Sequence, residues 1–281
     1  MTDFLRIASW NVNSIKVRLP QVLRWLDARE RIQLPIDALC LQELKLPDDK
    51  YPHQEFENAG YLSLVAGQKT YNGVAILVRR SALASISTDI DTTFLKVTRN
   101  IPGFDDVQQR MLAATICFNG AKPIRLISAY FPNGQSPESE KFAYKLKWLA
   151  ELHKWLGVEL SENDRLALLG DFNIAPFDED VHDPKAWEGQ NLVSPQERKA
   201  FQDLIGLGLY DSFRLFDQPP KTFSWWDYRM MGFRRNAGVR IDHILVSEAL
   251  KEKCQSSGVD KNPRTWEQPS DHAPVIAEIA I

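Results

Sequence analysis

Short apolar runs alternate along this chain with longer segments whose apolar residues follow helical spacing. The short runs predict buried strands, and they cover residues 6–10, 36–42, 73–79, 111–118, 124–129, 166–170, 240–246 and 274–279. Apolar residues at helical spacing predict helices over residues 19–31 and 138–156. A further helix is expected after Ser194, because Pro195 and Glu197 follow this capping residue.

The order of these elements predicts the fold class. Pairs of strands that could form hairpins stand between the helical segments, which favours an α/β fold of two packed mixed sheets flanked by helices over a doubly wound parallel sheet. The length of 281 residues lies within the range of large single domains. Since no linker-like segment interrupts the chain, we expect residues 1–281 to form one domain.

Composition and charge exclude several classes of protein. The net charge of −3, from 34 basic and 37 acidic residues, does not indicate a general nucleic-acid binder. The 3 cysteines are far apart and form no C-x-x-C pair, which argues against disulfides and a zinc site. The first ten residues do not resemble a signal peptide, and the apolar runs are too short to span a bilayer. We therefore expect a cytoplasmic protein with no membrane partner.

Polar side chains with metal-binding or catalytic chemistry stand where the apolar runs end. These residues are Asn11, Glu43, Asp171, Asn173, Asp242, Asp271 and His272. Ligands of α/β folds collect at the ends of strands, so we expect these side chains to meet in one pocket. A pocket rich in carboxylate and amide oxygens suits Mg²⁺.

Two of these residues allow more than one interpretation. A buried carboxylate at Glu43 is costly unless it is paired or bound to metal, and Lys45 or Lys16 could pair with it instead of a metal. Asn11 could coordinate a metal directly, orient Glu43 by a hydrogen bond, or be a simple turn residue.

The pair Asp171 and Asn173 and the pair Asp271 and His272 suggest proton chemistry. In an extended segment Asp171 and Asn173 face the same side, which suits a carboxylate that takes a proton from water beside an amide that holds it. An Asx-turn is the alternative. The side chains of the adjacent Asp271 and His272 should diverge, so Asp242 is predicted to orient His272.

Residues 221–240 combine positive charge with aromatic rings. The basic residues are Lys221, Arg229, Arg234, Arg235 and Arg240, and the aromatic residues are Phe223, Trp225, Trp226, Tyr228 and Phe233. Such a segment could bind phosphates and stack on bases. Alternatively, the aromatic residues belong to the core and the arginines form a solvated face.

Six motifs occur in an order that resembles the exonuclease/endonuclease/phosphatase superfamily. They are Trp10-Asn11-Val12-Asn13, Leu41-Gln42-Glu43-Leu44-Lys45, Tyr130-Phe131-Pro132-Asn133-Gly134, Gly170-Asp171-Phe172-Asn173, Arg240-Ile241-Asp242 and Ser270-Asp271-His272-Ala273-Pro274. Within the superfamily they are similar to the exonuclease III class of abasic-site DNA repair enzymes. The segments 223–229 and 67–69 resemble its DNA-repair branch, and the resemblance covers essentially the whole chain.

The resemblance implies a four-layer α/β/β/α sandwich, a Mg²⁺ cofactor that Mn²⁺ can replace, and a role for each site residue. It implies catalytic roles for Asp171, Asn173, His272, Asp242 and Tyr130. It implies metal ligation by Glu43 with Asn11 and Asp271 around it. It implies DNA binding by Lys69, Arg110, Asn133, Trp225, Arg229 and Arg234. Trp225, Val239 and Ile241 match the positions where the family forms a pocket for a flipped deoxyribose.

The function expected from this resemblance is a metal-dependent DNA repair nuclease. It would hydrolyse phosphodiester bonds at abasic sites, at 3′ ends, or at both, and act as a monomer on duplex DNA with abasic sites, nicks or blocked 3′ ends. The alternatives are a catalytically silent nucleic-acid-binding member of the same fold and a phosphatase acting on small phosphoesters. His182 is hypothesised to narrow the pocket and favour 3′ ends over abasic sites, unless it is a loop residue that faces solvent.

Overall fold

The computed structural model describes residues 4–85 and 90–281. Residues 1–3, which begin the segment predicted to lack a signal peptide, lie outside the described residues, as do residues 86–89. In the described ranges the chain forms two sheets of six strands with helices on their outer faces. No helix in these ranges is long and apolar enough to cross a membrane.

The strands are numbered in chain order. They are β1 (Phe4–Asn11), β2 (Ala38–Gln42), β3 (Tyr61–Ala66), β4 (Val74–Arg79), β5 (Leu95–Arg99), β6 (Met111–Ile116), β7 (Ile124–Tyr130), β8 (Leu166–Asp171), β9 (Leu209–Asp211), β10 (Asp242–Ser247), β11 (Cys254–Val259) and β12 (Val275–Ala280). The α-helices are α1 (Ile15–Arg31), α2 (His53–Asn58), α3 (Ile90–Thr93), α4 (Glu140–Glu162), α5 (Pro184–Trp187), α6 (Pro195–Gly206) and α7 (Glu248–Lys251).

Both sheets are mixed. The first has the order β11-β12-β1-β2-β4-β3, and the second has the order β5-β6-β7-β8-β10-β9. One pair in each sheet is parallel, β1 with β2 and β7 with β8. Their other neighbours, β12 beside β1 and β10 beside β8, run antiparallel.

The structure has four layers, because each sheet is covered by the other sheet on one face and by helices on the opposite face. The apolar cluster between the sheets takes residues such as Ile7 from the first sheet and Leu126 from the second. A second cluster packs α4 and α6 on the second sheet, and a third packs α1 and α2 on the first. Strands buried on both faces read as continuous apolar runs, which is why the sequence pattern detected the central strands. The predicted α/β/β/α sandwich is confirmed.

The strands that the sequence pattern did not predict are β3, β5, β9 and β11. These are the four edge strands of the two sheets. Of these, β5 is largely exposed and β11 has a single buried residue, so their own sequences carry little apolar signal. The α1 helix also begins earlier than predicted, at Ile15, with Pro20 inside it. Ser194 caps α6 as predicted, in a capping box with Glu197.

Candidate active site

The strand arrangement brings the predicted site residues to one edge of the sandwich. Asn11 ends β1 beside Gln42 at the end of β2, and Tyr130 ends β7 beside Asp171 at the end of β8. The antiparallel strand β10 begins at Asp242, opposite Asp171. The predicted residues Asn11, Asp171 and Asp242 therefore lie at the same edge of the sandwich.

Gly170 permits the close approach of β7 and β8 directly before Asp171. A Cβ atom at this position would lie 1.8 Å from the backbone oxygen of Ala129. Only glycine fits there without moving one of the two strands. The glycine of the Gly-Asp-x-Asn motif thus has a packing role that sets the position of the carboxylate after it.

Asn11 connects the two principal carboxylates of the site. Its buried Nδ2 donates to Glu43 Oε1 at 2.8 Å and to Asp171 Oδ2 at 2.9 Å. Its Oδ1 accepts a hydrogen bond from the backbone N–H of Asn13 at 3.0 Å. The amide nitrogen therefore faces the carboxylates, which favours the orienting role of Asn11 over direct coordination of a metal.

Glu43 forms one of the salt bridges offered as an alternative to a metal and also belongs to a group of side chains that could hold one. Its Oε2 lies 2.8 Å from Lys45 Nζ, so the salt bridge is present. Ligand atoms of Glu43, Asp171 and His272 also lie within 4.8 Å of one another, as a group that could hold a metal ion. Glu43 remains partly open to solvent, with 17% of its side chain exposed, which leaves room for coordinated water.

The donor set fits a hard divalent cation at Glu43 and Asp171, because such cations prefer carboxylate oxygens and retained waters. Asp271 is less available: its Oδ1 accepts from Asn13 Nδ2 at 3.0 Å and its Oδ2 from Trp225 Nε1 at 3.0 Å. Among the described residues, Asp271 does not belong to the group with Glu43. The structure instead puts Asp171, predicted only to activate water, beside the predicted metal ligand.

His272 lies between two carboxylates. Its Nδ1 is 2.8 Å from Asp242 Oδ2, and its Nε2 is 3.7 Å from Asp171 Oδ2. Burial alone would lower the pKa of His272, but the charges of Asp242 and Asp171 raise this pKa to about 10. A protonated imidazole in this position can donate a hydrogen bond to a negatively charged oxygen. The pairing of His272 with Asp242 rather than with the adjacent Asp271 matches the sequence argument.

Burial and neighbouring carboxylates also raise the pKa values of Asp171 and Tyr130. Burial, followed by the charge of Asp242, raises the pKa of Asp171 to about 7, although His272 and the Asn11 hydrogen bond oppose the shift. A carboxylate with such a pKa can accept a proton from water near neutral pH. Burial and the nearby carboxylates Glu43 and Asp171 raise the pKa of Tyr130 well above its usual value, so its hydroxyl stays a donor.

Asn173 reaches the site by a different backbone path from the one predicted. Its φ of 49° is left-handed rather than extended, and its N–H donates to Asp171 Oδ1 at 2.9 Å, as in an Asx-turn. Its Nδ2 nevertheless lies 3.3 Å from Asp171 Oδ2, and its Oδ1 accepts from Asn133 Nδ2 at 2.9 Å. Asn173 therefore forms the Asx-turn and also lies beside Asp171. The prediction that both side chains share one space is right, but the extended backbone from which it was argued is wrong.

Two predicted DNA contacts on the β4 and β6 side have different environments. Lys69 is exposed on the loop before β4. Arg110 is buried: its Nη1 donates to the backbone oxygen of Tyr130 at 3.2 Å and its Nη2 to Gln108 Oε1 at 2.7 Å. In this arrangement Arg110 contacts the site through the backbone of Tyr130.

The basic and aromatic segment 221–240 is partly buried in the core and partly exposed, so each of the two interpretations applies to some of its residues. Phe223 and Trp226 are fully buried, and Arg240 is buried in ion pairs with Asp180 and Asp211. The arginines at 229, 234 and 235 are exposed, and Arg229 pairs with the neighbouring Asp227. Part of the segment is therefore core, and its exposed basic residues, these arginines and Lys221, remain available for a phosphate backbone.

The residues of the predicted deoxyribose pocket lie next to the catalytic pair. Isolated bridges join His272 to Trp225, Trp225 to Val239, and Val239 to Val181. Trp225 and Ile241 share an apolar cluster with Val239 and Val181. His182 follows Val181 directly, which brings it to the border of this cluster.

Several supporting residues were not found by sequence reasoning. Asn13 bonds Asp271 and Lys45. Ser224 Oγ accepts the N–H groups of residues 241 and 242 at 3.0 Å, and Ser270 Oγ donates to the backbone oxygen of Asn11 at 2.7 Å. Each stands inside or beside a motif, but short polar residues at strand ends are too common to identify without their partners.

A buried Asp–His pair beside carboxylates that could hold a metal ion, at one edge of a four-layer sandwich, defines a metal-assisted hydrolase site. The chain belongs to the endonuclease/exonuclease/phosphatase family, whose model matches residues 8–272. The family predicted from the motifs is therefore confirmed.

Individual relatives cover nearly the entire chain. An exodeoxyribonuclease III of Haemophilus influenzae is 35% identical over 98% of this chain and 99% of its own length. The 3′ phosphatase NExo from Neisseria, solved with a product DNA hairpin, is 42% identical with a TM-score of 0.89, over 99% of this chain and 100% of its own. An AP endonuclease from Archaeoglobus fulgidus is 32% identical with a TM-score of 0.87, over 99% and 100% respectively. The resemblance to the exonuclease III class is thus confirmed.

Proposed function

We propose that this protein is a metal-dependent DNA repair nuclease that hydrolyses phosphodiester or phosphomonoester bonds at 3′ ends and at abasic sites of duplex DNA. The observation that carries the proposal is the convergence on Asp171. Asn11 Nδ2 donates to this carboxylate at 2.9 Å, and the Asp242-paired His272 lies 3.7 Å from it. Such a group can accept a proton beside a donor for a phosphoryl oxygen.

The proposed cofactor is Mg²⁺, with Mn²⁺ as a substitute, held principally by Glu43 and surrounded by Asn11 and Asp271. When bound there, the cation would supply positive charge to the phosphate oxygens and hold reactive water. Support comes from the carboxylate oxygens of Glu43 and Asp171, which belong to one group of potential ligand atoms. Asn11 would orient Glu43, and Asp271 would orient Trp225 through its bond to the indole nitrogen.

The protein groups would divide the reaction between them. Asp171 would take a proton from the attacking water, while Asn173 and Tyr130 would position the phosphate. His272, kept protonated by Asp242, would donate to an oxygen on which charge develops. Asp171, His272 and Tyr130 all have raised pKa values, and each then has a role in the reaction, as expected of a catalytic site.

Contacts with the DNA backbone are proposed for Lys69, Asn133, Arg229 and Arg234. All four are exposed, and Asn133 bonds Asn173 at 2.9 Å, so a phosphate held there would lie next to the catalytic residues. Exposed cations on an otherwise acidic protein steer DNA to one face. Arg110 would act by holding Tyr130.

We further propose that 3′ ends are preferred over internal abasic sites because of His182. The solvent-facing alternative fits poorly: Nδ1 of His182 lies 3.2 Å from the backbone oxygen of Gly238, and its ring contacts Trp187 edge-on at 6.3 Å. A fixed imidazole beside the Trp225 and Val239 cluster reduces the room for an extruded sugar. The 3′ phosphatase activity named for the Neisseria relative agrees with this preference.

The test compares four substrates under one set of conditions. We expect Mg²⁺-dependent removal of a 3′-phosphate at a nick, slower incision at an internal abasic analogue, and no hydrolysis of p-nitrophenyl phosphate or of an intact blunt duplex with blocked ends. DNA binding without hydrolysis would identify a silent binder, and turnover of p-nitrophenyl phosphate alone would identify a small-molecule phosphatase. In H182G, the ratio of abasic incision to 3′-phosphate removal should rise; an unchanged ratio would remove His182 from lesion choice.

We also propose that residues 1–281 act as one domain and as a monomer. The apolar cluster shared by the two sheets supports a single cooperative unit. One thermal transition and a monomer mass in solution with and without DNA are the expected results.

A further inference from the structure

A fully buried ion pair lies directly behind the site and has no part in the chemistry described above. Lys145, on α4, and Glu197, in the first turn of α6, each have 0% of the side chain exposed. Lys145 Nζ forms a hydrogen bond with Glu197 Oε1. Since burying two charges is costly and an apolar pair of equal size is often as stable, such a pair calls for a reason other than stability.

The remaining protons of the lysine go to two loops of the active site. Nζ donates to the backbone oxygen of Asn173 at 2.7 Å and to that of Asn133 at 3.2 Å. An ammonium group has three donors, so Glu197, Asn173 and Asn133 use all of them. One buried cation thus binds the main chain of Asn173, whose side chain bonds Asp171, and of Asn133, whose side chain bonds that of Asn173.

Each loop contains a residue with a left-handed backbone, and contacts with Lys145 fix the position of both loops. Asn173 has a φ of 49° and Gly134, next to Asn133, has a φ of 90°. The Asn133 loop also packs on the lysine stem, because a Cβ atom on Gly134 would lie 3.1 Å from Lys145 Cδ. Asparagine tolerates this conformation, and the hydrogen bond from Lys145 to the Asn173 oxygen fixes the turn relative to α4.

Glu197 gives the lysine a rigid anchor. Its Oε2 accepts from the N–H of Ser194 at 3.0 Å and from its Oγ at 2.6 Å, and its Oε1 accepts from the N–H of Leu192 at 3.1 Å. The carboxylate is therefore built into the N-terminal cap of α6. The chain of contacts runs from this cap through Lys145 to the two loops.

We propose that Lys145 and Glu197 are positioning residues for the reaction: the pair sets the Asn133 and Asn173 loops so that the two amides bond each other and Asn173 bonds Asp171. The inference rests on the proposed function, since it assigns the two asparagines to phosphate binding. Because neither charge touches substrate, the pair acts on the rate through geometry.

The experiment replaces the pair by apolar residues of similar size, K145M together with E197L. We expect kcat for 3′-phosphate removal to fall about 10–100-fold, because a displacement of about 1 Å in positioning groups can cost about 100-fold. The KM for DNA should stay within about threefold of wild type, since the contacts proposed for Lys69, Arg229 and Arg234 are untouched. The melting temperature of the double variant should fall, because the N–H groups of Ser194 and Leu192 and the two loop oxygens lose their partners. Rates are therefore compared well below the melting temperature of both proteins.

A matched control exists on the same helix. Arg125 Nε pairs with Glu159 Oε2 at 2.7 Å, and Arg125 also donates to the backbone oxygen of Lys96. This pair is nearly as buried, but it joins α4 to β5 and β7 away from the site. R125M with E159L should keep kcat within about twofold of wild type, because distant, independent sites do not couple.

The outcomes separate the possibilities. A normal kcat in folded K145M/E197L would overturn the proposal, and so would an equal loss of kcat in the Arg125 control. If K145M/E197L does not fold, K145M/E197Q replaces it, because a glutamine at 197 can still accept from Ser194 while methionine cannot donate to the two loops. A folded form of this variant with normal kcat again refutes the positioning role. If wild type and the Arg125 control both lack activity on DNA, the proposed function fails before the pair is tested.

Discussion

The pairing of Asp242 with His272 makes a quantitative prediction for a double-mutant cycle. Three variants, H272A, D242A and the double variant, remove one partner or both. If Asp242 acts by keeping His272 oriented and protonated, it has little to contribute once the imidazole is gone. The losses of kcat in the single variants should then be far from additive.

The structure sets the expected size of the coupling. The Nδ1–Oδ2 contact of 2.8 Å is buried, with 4% and 0% of the two side chains exposed. The other carboxylate oxygen, Oδ1, has no hydrogen-bond partner among the described residues. A hydrogen bond to a charged group contributes about 1.5–3 kcal/mol, which corresponds to about 10–150-fold in rate. If each single variant loses about 100-fold, the double variant should lose about 100-fold and not about 10,000-fold.

The assay is steady-state removal of a 3′-phosphate from nicked duplex DNA at saturating Mg²⁺, with rates corrected for the folded fraction seen by circular dichroism. A D242N variant controls for cavity formation, because it preserves volume while removing the negative charge. If the loss of kcat in the double variant equals the product of the two single losses, to within about a factor of two, the two residues do not act as one unit.

Four further predictions follow from single contacts. E43Q should raise the Mg²⁺ concentration needed for half-maximal rate and lower the rate by orders of magnitude; full activity in excess EDTA would contradict metal dependence. D171N should lower kcat while DNA affinity measured in EDTA stays nearly unchanged, and a raised Mg²⁺ requirement would add metal binding to its role. R229A and R234A should each weaken binding to all DNA sequences and reduce the slope of log K against log salt concentration by about one. An unchanged slope in both variants would mean that these arginines only face solvent. G170A should destabilise the fold by about 1–3 kcal/mol or more, because its Cβ would meet the Ala129 backbone; an unchanged denaturation midpoint would contradict the packing role.

The sequence alone determined the central strands and most of the polar residues at their ends. A strand buried on both faces must be apolar along its length, so β1, β2, β7 and β8 are visible without any partner. A polar residue such as Asp171 or Glu43 stands out where such a run stops. The motif order then identified the family, and the sandwich followed from it.

Only the tertiary structure decided which atoms meet. Asn11 could coordinate or orient until its Nδ2 was found between residues 43 and 171, which lie far away along the chain. Arg240 reads as a basic residue of an exposed segment, yet it is buried because Asp180 and Asp211 neutralise it. Hydrogen-bond partners of this kind depend on packing between distant segments, which local patterns do not encode.

The edge strands and Lys145 show the same limit. An edge strand such as β5 or β11 forms because a neighbour offers its backbone, and its exposed side chains carry no period to detect. Lys145 stands within the apolar stripe of α4, three residues after Phe142 and four before Leu149, and a lysine there gives only a weak sequence signal. The role proposed for Lys145 depends on Glu197 and on two backbone oxygens. These partners reach Lys145 only when α4, α6 and the two site loops pack together.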